Sequence, residues 1–341
     1  MSFFSIERDM AIDIGTATIL VYIKGRGIIL KEPSIVAIDK SNNSVLTVGE
    51  EARKMMGKTP GNIVTIRPLR DGVISDYDIT ETMLKNFIKK VWGNKGRPAT
   101  RVVISVPCYA TAVERRAVKD AAINAGAKKV YLIEEPMAAA IGAGLDITKT
   151  SGNMIIDIGA GTTDIAIISL GGMVVRDSIK IAGDKFDESI ICYILKNHKT
   201  VIGEKTAEDI KINIGSAYKK GKENSMEISG ADSITGLPKK IIVSSEEIRD
   251  ALRKVVNNIV ESINSVLQKT TPELLVDIYD KGIIMTGGGA LLNGLDVVIQ
   301  EATKIPVYIA EDAVSCVALG MGKVLDYLDK LDMAYGEDII L

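Results

Sequence analysis

The chain contains one short pattern twice: Ala11–Leu20 has the sequence AIDIGTATIL, and Ile155–Ile167 has the sequence IIDIGAGTTDIAI. In each copy an apolar strand leads to an aspartate, a glycine-containing turn with small hydroxylated residues follows, and a second apolar strand begins. The two aspartates, Asp13 and Asp157, lie roughly 140 residues apart, which is the size of a domain and indicates a duplicated module rather than a short-period solenoid. Two such hairpins facing each other would bind one phosphate chain from both sides.

The composition is that of an ordinary globular protein and excludes several kinds of site. The 341 residues suggest two domains, and the net charge of −2, with both signs interspersed, does not indicate nucleic-acid binding. Three cysteines without C-x-x-C spacing fit a reducing compartment rather than a disulfide framework. The single histidine, His198, excludes Ser-His-Asp triads and H-E-x-x-H zinc sites.

The hydropathy pattern predicts no membrane span. No apolar run approaches the ~20 residues that cross a bilayer, and the N-terminus lacks the basic region of a signal peptide. We therefore expect a cytoplasmic protein whose contact with a membrane, if any, is at its surface.

Both copies of the pattern continue into a third strand, and strand–helix units such as Arg101–Val106 with Ala110–Ala125 come later. This order predicts an α/β fold with two lobes, each a mixed β-sheet flanked by helices. The strands predicted after the turns are Ile19–Ile23, Gly27–Leu30, Ile165–Ser169 and Met173–Ile181.

Two stretches differ in composition and element pattern from the lobes that they interrupt. They are Pro33–Ile66 and Asp184–Val243, and we expect them to form smaller inserted subdomains. The second carries helices, then a polar section over Lys219–Ser233, then a strand. Ser244 and Glu247 form a Ser-x-x-Glu capping box, which opens the longest helical pattern of the chain. Its apolar stripe predicts a core helix.

The two turns have the residue types that bind the triphosphate of ATP. Glycine lets backbone N–H groups approach anionic oxygens closely, and Thr16, Thr162 and Thr163 add hydroxyl donors. Asp13 and Asp157 would meet Mg²⁺ through water, because Mg²⁺ gives up its hydration shell reluctantly. A single copy would more often be a tight hairpin without a ligand, whereas two copies favour a phosphate site.

A third candidate element is Gly287–Gly289, where a buried strand ends and a helix is predicted to begin. Such a junction presents N–H groups and the positive end of a helix dipole to a nucleotide. It does not match G-x-G-x-x-G, so a dinucleotide fold is disfavoured. The alternative is a glycine-rich connection without a ligand.

The fourth element is a strand that runs into Glu134, Glu135 and Pro136. Proline suits the first turn of the helix that follows. A carboxylate fixed at a strand end can position an attacking water. The alternative is an ordinary acidic residue at a helix N-terminus.

These elements in this order resemble the actin–Hsp70–hexokinase superfamily, and within it the MreB family of bacterial actins. The resemblance spans nearly the whole chain and includes Lys31–Ser34, Gly57–Gly61, Ile66–Ile74, Ala112–Arg116, Ile181–Asp184, Gly203–Glu208 and Thr286–Leu292. It implies the duplicated actin-like fold with ATP in the cleft between the lobes. It also implies four subdomains: a first large one (1–32, 67–145 and 315–341), a first small one (33–66), a second large one (146–182 and 244–314) and a second small one (183–243).

The resemblance further implies an ATPase that polymerises into membrane-associated filaments, often paired, which support cell shape. In this family Glu135 would position the hydrolytic water, with Thr162 beside it, and Glu208 and Lys211 would lie on a nucleotide-facing helix. Asp13 and Asp157 would hold Mg²⁺. The expected ATP/ADP contacts are Gly15, Thr16, Ala17, Thr18, Gly159, Ala160, Gly161, Thr163, Gly287, Gly288, Gly289 and Ala290.

Three departures from the family pattern bear on hydrolysis. Thr18 and Ile19 stand where the first turn usually has Asn and Thr, and Asp164 replaces a glutamate. Ala160 replaces the middle glycine of the second turn. If that position needs a positive φ, alanine would cost about 1 kcal/mol and shift the turn.

Membrane contact is expected at two places. The N-terminal residues Phe3, Phe4 and Ile6 are apolar, and Trp92 lies among apolar and basic residues that suit a lipid interface. The alternative for Trp92 is a packed side chain at a helix end.

Other classes remain as alternatives to the polymer. A chaperone ATPase would need a downstream substrate domain, which we do not expect here. A sugar or acetate kinase would need an acceptor pocket with a catalytic aspartate, for which the sequence offers no candidate, and a non-polymerising ATPase of the superfamily is the remaining possibility.

Overall fold

The computed structural model describes residues 9–92, 101–219, 221 and 223–330. Within them the chain forms two compact units, the first made of residues up to 147 and from 314 onward, the second of residues 148–313. The finer division into four subdomains stays a prediction.

The strands, in chain order, are β1 (Met10–Ile14), β2 (Thr18–Ile23), β3 (Gly27–Pro33), β4 (Val36–Asp39), β5 (Ser44–Val48), β6 (Ile63–Ile66), β7 (Leu69–Arg70), β8 (Val73–Ile74), β9 (Arg101–Val106), β10 (Lys129–Glu134), β11 (Asn153–Ile158), β12 (Thr163–Ser169), β13 (Gly172–Ile179), β14 (Thr200–Val201), β15 (Ser225–Asp232), β16 (Pro238–Ser244), β17 (Ile283–Thr286) and β18 (Val307–Ile309).

The α-helices are α1 (Glu50–Met55), α2 (Tyr77–Trp92), α3 (Ala112–Asn124), α4 (Glu135–Gly142), α5 (Gly183–His198), α6 (Glu204–Ile214), α7 (Ser245–Gln268), α8 (Pro272–Lys281), α9 (Leu295–Thr303) and α10 (Cys316–Val324). Two short 3₁₀ helices cover Gly288–Leu291 and Ala313–Ser315.

The first unit is built on a five-stranded mixed sheet in the order β10-β9-β1-β2-β3. β1 pairs antiparallel with β2 and parallel with β9, which in turn pairs parallel with β10. The carboxyl ends of β1, β9 and β10 therefore meet at one edge of the sheet. A second, three-stranded sheet in the order β5-β4-β6 packs with α1.

The second unit repeats this plan on a five-stranded sheet in the order β13-β12-β11-β17-β18. β11 pairs antiparallel with β12 and parallel with β17, so the carboxyl ends of β11 and β17 also share an edge. A three-stranded sheet in the order β14-β15-β16 completes the unit.

The two large sheets have the same topology. Each is an antiparallel meander, β1-β2-β3 or β11-β12-β13, extended by two strands that run parallel to its first strand. The predicted duplication and the predicted pair of mixed sheets are confirmed.

Burial on both faces explains the apolar runs of the central strands. Every residue of β9, β11 and β12 is buried, as expected for strands covered by helices on both sides. The long helix α7 also forms as predicted, with Ser244 and Glu247 in a reciprocal capping box and its apolar stripe in the core.

Two glycines bring α4 and α10 into close contact. A Cβ on Gly142 would lie 1.8 Å from the carbonyl oxygen of Cys316, and a Cβ on Gly320 would lie 1.8 Å from that of Ala138. Only glycine permits this approach. The contact fixes α4, the helix that Glu135 begins.

The prediction for Lys219–Ser233 was wrong in one respect, because β15 lies inside this polar section. Its residues alternate between buried or half-buried Met226 and Ile228 and exposed Ser225 and Glu227. A strand with one face exposed to solvent carries polar residues on that face. These polar residues made the segment resemble a loop in the sequence.

The predicted membrane contacts cannot be placed. Phe3, Phe4 and Ile6 lie outside the described residues, and so does the side chain of Trp92. In the part of the chain that is described, no helix has the length and apolar character needed to cross a membrane.

Candidate functional site

The first glycine turn, Gly15–Ala17, connects β1 to β2 at the carboxyl edge of the first sheet. Gly15 is required there, since a Cβ would lie 2.7 Å from the carbonyl oxygen of Thr18. The Thr16 hydroxyl oxygen accepts the Gly72 N–H at 3.1 Å. These contacts hold the turn between the sheet and the β7–β8 hairpin.

Asp13 stands beside this turn, on the last part of β1. The parallel register with β9 brings Ser105 next to it, and the Ser105 hydroxyl donates to Asp13 Oδ1 at 2.9 Å. Burial raises the pKa of Asp13 to about 6, although the hydrogen bond from Ser105 opposes the shift. The Ser105 hydroxyl therefore orients the Asp13 carboxyl group.

The two adjacent glutamates at the end of β10 have different environments. Glu134 is buried and its carboxylate accepts from Arg115 Nη2 at 2.8 Å. Glu135 is the first residue of α4 and is half-buried. Glu134 therefore serves an internal ion pair, and the water-orienting role expected of Glu135 at the helix start stays a prediction.

The second turn, Gly159–Gly161, lies at the corresponding edge of the second sheet and is closed by the Gly159 N–H, which donates to the Thr162 carbonyl at 2.9 Å. The turn packs on the N-terminus of α5. The Gly183 N–H donates to the Gly159 carbonyl at 3.2 Å and the Asp184 N–H donates to the Ala160 carbonyl at 2.8 Å. The carbonyl groups of the turn thus satisfy the first N–H groups of a helix.

Asp157 repeats the environment of Asp13. Thr286 lies opposite Asp157 on the parallel strand β17, and its hydroxyl donates to Asp157 Oδ1 at 2.7 Å. In both units, therefore, the aspartate before the turn accepts a hydroxyl from the neighbouring parallel strand.

The third element, Gly287–Gly289, follows β17 at the same edge. Gly287 has φ +83°, and a Cβ there would lie 2.2 Å from the Ile158 carbonyl oxygen. A Cβ on Gly289 would lie 2.5 Å from Ile158 Cγ2, whereas one on Gly288 would meet nothing within 4 Å. Gly287 and Gly289 are therefore packing residues, and Gly288 is the exposed one.

The helix predicted to begin after these glycines is a single 3₁₀ turn, and α9 starts only at Leu295. That part of the prediction was wrong.

The sequence of the whole chain agrees with this geometry. A family model described as MreB/Mbl protein matches residues 7–333. The chain belongs to the MreB/Mbl family. Cell shape-determining protein Mbl of Bacillus subtilis (strain 168) is 54% identical over 326 residues, which cover 95% of this chain and 97% of that protein. Cell shape-determining protein MreB of Escherichia coli (strain K12) is 50% identical over 328 residues, covering 95% and 94%.

A solved structure is similar in fold and sequence. The crystal structure of MreB5 of Spiroplasma citri bound to AMPPNP has a TM-score of 0.91 and 40% identity, covering 97% of this chain and 99% of that one. The same protein bound to ADP gives the same values. The actin-like fold expected from the sequence is confirmed.

Within this MreB/Mbl chain, two residues named as nucleotide contacts have internal side chains. Thr163 is fully buried and its hydroxyl donates to the Ile181 carbonyl at 2.7 Å. Ala290 is also fully buried. The Thr163 hydroxyl, predicted as a phosphate donor, therefore bonds within the second unit. The nucleotide contacts expected for Thr163 and Ala290 stay predictions.

Ala160 does not require the strained backbone that its position suggested. Apart from glycine, the described residues with positive φ are Asn43, Asp71, Leu170, Lys199 and Lys304. Ala160 thus lies outside the left-handed region, and the cost foreseen for alanine at this turn does not arise.

Lys211 lies near the second turn but is paired. Its ammonium donates to Asp187 Oδ2 at 2.8 Å and to the Gly183 carbonyl at 3.2 Å. Burial raises the pKa of Asp187 to about 6 against the opposing effect of Lys211, and the nearby charges of Glu208 and Asp184 add to the rise. In this structure Lys211 fixes α6 to the start of α5.

Three residues of the candidate site were not named as site residues from the sequence: Ser105, Thr286 and Ser34. Thr286 and Ser34 lie in stretches that carry the resemblance, but the roles of Ser105 and Thr286 depend on the register of strands parallel to the aspartate strands. Ser34 donates its hydroxyl to the Gly15 carbonyl at 2.6 Å. Its position directly after the Lys-Glu-Pro stretch was the available signal.

The described part of the chain holds no group of three or more His, Cys, Asp and Glu side chains arranged to hold a metal ion. Mg²⁺ is commonly bound by one or two carboxylates together with substrate phosphates and water. Each unit offers one such carboxylate, oriented by a hydroxyl: Asp13 in the first and Asp157 in the second.

Proposed function

We propose that this chain binds ATP with Mg²⁺, hydrolyses it to ADP and phosphate, and assembles with copies of itself into filaments. One observation carries the proposal: each unit has a glycine turn at the carboxyl edge of parallel strands, preceded by an aspartate. In both units a hydroxyl from the neighbouring parallel strand orients that aspartate. Ligands of α/β folds bind at such edges. The AMPPNP and ADP bound to the S. citri relative support nucleotide as the ligand.

The residues of the chain have separate roles in this proposal. The N–H groups of the two turns bind phosphate oxygens, and Gly288 gives the adenosine end an open backbone. Asp13 and Asp157 hold Mg²⁺ through water, and the bound cation offsets the charge of the phosphate oxygens. Glu135 orients the attacking water, and Thr162, which directly follows the second turn, lies beside that water.

The filament is proposed to lie in the cytoplasm against the inner face of the cell membrane, where it supports cell shape. The cell shape-determining relatives support the cellular role. Lipid contact through Phe3, Phe4, Ile6 and Trp92 is supported by the sequence pattern alone.

Phosphate release tests the hydrolytic part. Glu135→Ala should lower the rate of phosphate release by roughly a hundredfold or more while ATP affinity is unchanged, because a positioned carboxylate contributes that much to catalysis. Glu273→Ala is the matched control, since Glu273 is also a first-turn glutamate next to a proline. An unchanged rate in Glu135→Ala would contradict the assignment of Glu135.

Sedimentation tests the polymer with the same preparations. The wild-type chain should pellet with ATP and stay in the supernatant without nucleotide, and added vesicles of anionic lipid should carry it along. Removal of residues 1–6 together with Trp92→Ser should reduce only the vesicle-bound fraction. A chain that stays monomeric at high concentration with every nucleotide would contradict filament formation, and acetate- or hexose-dependent ADP release would favour a kinase instead.

A further inference from the structure

Ser34 is a buried polar residue with two hydrogen bonds to the first phosphate turn. It directly follows β3 and is 0% exposed. Its hydroxyl donates to the Gly15 carbonyl at 2.6 Å, and its N–H donates to the Ala17 carbonyl at 2.9 Å. Ser34 alone therefore binds two of the three carbonyl groups of the turn Gly15–Ala17.

These bonds decide which way the turn directs its dipoles. In a planar trans peptide the C=O of one residue and the N–H of the next point in opposite directions. Because the Gly15 carbonyl points toward Ser34, the Thr16 N–H points away from Ser34. Because the Ala17 carbonyl also points toward Ser34, the Thr18 N–H points away from it as well. A carbonyl that turned to the other side would repel a phosphate.

We propose that Ser34 is a positioning residue for the phosphates: it holds the carbonyls of Gly15 and Ala17 on one side so that the N–H groups of the turn face the anion. This inference rests on the proposed binding of ATP. Ser34 does not touch the nucleotide, and its effect passes through the orientation of the turn.

The segment before Ser34 is fixed at its other end, which keeps Ser34 in place. Glu32 accepts the Glu50 N–H at the start of α1 at 2.7 Å, and Lys90 of α2 donates to the same carboxylate at 2.9 Å. Gly49 leaves the space for this contact, because a Cβ there would lie 2.1 Å from Glu32 Oε2.

The test compares the affinities of ATP and AMP in Ser34→Ala. ATP affinity should fall about tenfold, the effect expected from losing the hydrogen bond that orients a buried carbonyl. AMP affinity, measured by competition, should change less than twofold because AMP lacks the outer phosphates. If Ser34 only stabilises the fold, the substitution should leave the affinities for ATP and AMP unchanged or should lower both by the same factor. Either result would overturn the proposal.

Thr80→Val is the matched control. Thr80 is also 0% exposed and its hydroxyl also donates to a carbonyl, that of Asp76, at 2.6 Å, but this hydrogen bond is at the start of α2 and not to the turn. The control should lose stability and keep wild-type affinity for ATP. Equal losses of ATP affinity in Thr80→Val and Ser34→Ala would overturn the role of Ser34.

Ser34→Cys provides a second variant that fills the same space with a much weaker donor. It should show the same selective loss for ATP if Ser34→Ala does not fold. Wild-type affinity for ATP in a folded Ser34 variant would overturn the role of Ser34 alone. A wild-type chain that binds no ATP would overturn the proposed function, and this inference with it.

Discussion

At the residue scale, Asp187 has a carboxyl group whose ionisation is opposed by its surroundings. Its pKa is raised to about 6, chiefly by burial, while Lys211 acts in the other direction. In the unfolded chain the group returns to its ordinary value near 3.8. Between these values the folded chain binds more protons than the unfolded chain. The free energy of unfolding therefore falls as pH rises through this window.

Asp187→Asn should remove this contribution. Between pH 5 and pH 7.5 the wild-type chain should lose about 1 kcal/mol of stability relative to the variant, because most of the proton release occurs in that interval. Urea unfolding at the two pH values measures the difference, and other titrating groups cancel in the comparison. Parallel pH dependences of the two chains would contradict the raised pKa.

The candidate site residues that sequence could name are those whose position in the local pattern suggests a role. Asp13 and Asp157 end apolar strands before glycine turns, and Glu135 stands next to Pro136 at a helix start. Their hydroxyl partners could not be predicted, since Ser105 is 92 residues from Asp13 and Thr286 is 129 residues from Asp157. Only strand register brings such pairs together.

At the element scale, the junction after β17 shows the same division between local and distant information. The strand and its glycines were predicted from composition, because an apolar run followed by glycine marks a strand end. The 3₁₀ turn that follows was not predicted. It begins after Gly287, whose φ of +83° and contact with Ile158 depend on the neighbouring strand β11. Likewise, β15 is held by antiparallel pairing with β16, although one of its faces is polar and exposed to solvent. Tertiary contacts determine both elements.

The two glycines of this junction should respond differently to substitution. Gly287→Ala should lower the free energy of unfolding by about 2–4 kcal/mol, because it combines a positive φ with a backbone clash. Gly288→Ala should change stability by less than about 1 kcal/mol, since its Cβ enters open space. If Gly288 faces the adenosine end of the nucleotide, its variant should lose ATP affinity while remaining stable.

Urea unfolding and ATP titration of both variants separate the two roles. Equal stability losses would contradict the assignment of Gly287 as the packing residue. Unchanged ATP affinity in Gly288→Ala would remove Gly288 from the binding surface.

At the scale of the whole molecule, duplication gives each unit its own aspartate turn on the same five-strand topology. A ligand that binds the folded chain and not the unfolded chain must stabilise the fold by mass action. At an ATP concentration a hundred times its dissociation constant, that stabilisation is about 2.7 kcal/mol. The melting temperature of the wild-type chain should therefore rise by several degrees with Mg²⁺ and ATP.

Asp157→Ala tests whether this stabilisation passes through the second turn. The variant should lose most of the ATP-induced rise in melting temperature, and removal of Mg²⁺ with a chelator should have the same effect on the wild-type chain. Asp277→Ala is the control, because Asp277 accepts the Gly152 N–H at 2.7 Å in the same unit but away from the turn. It should lower the melting temperature without nucleotide and keep the full rise with ATP. If Asp157→Ala keeps that rise as well, the carboxylate of Asp157 does not hold the metal–nucleotide complex, and the phosphate site would then depend on the turn of the first unit.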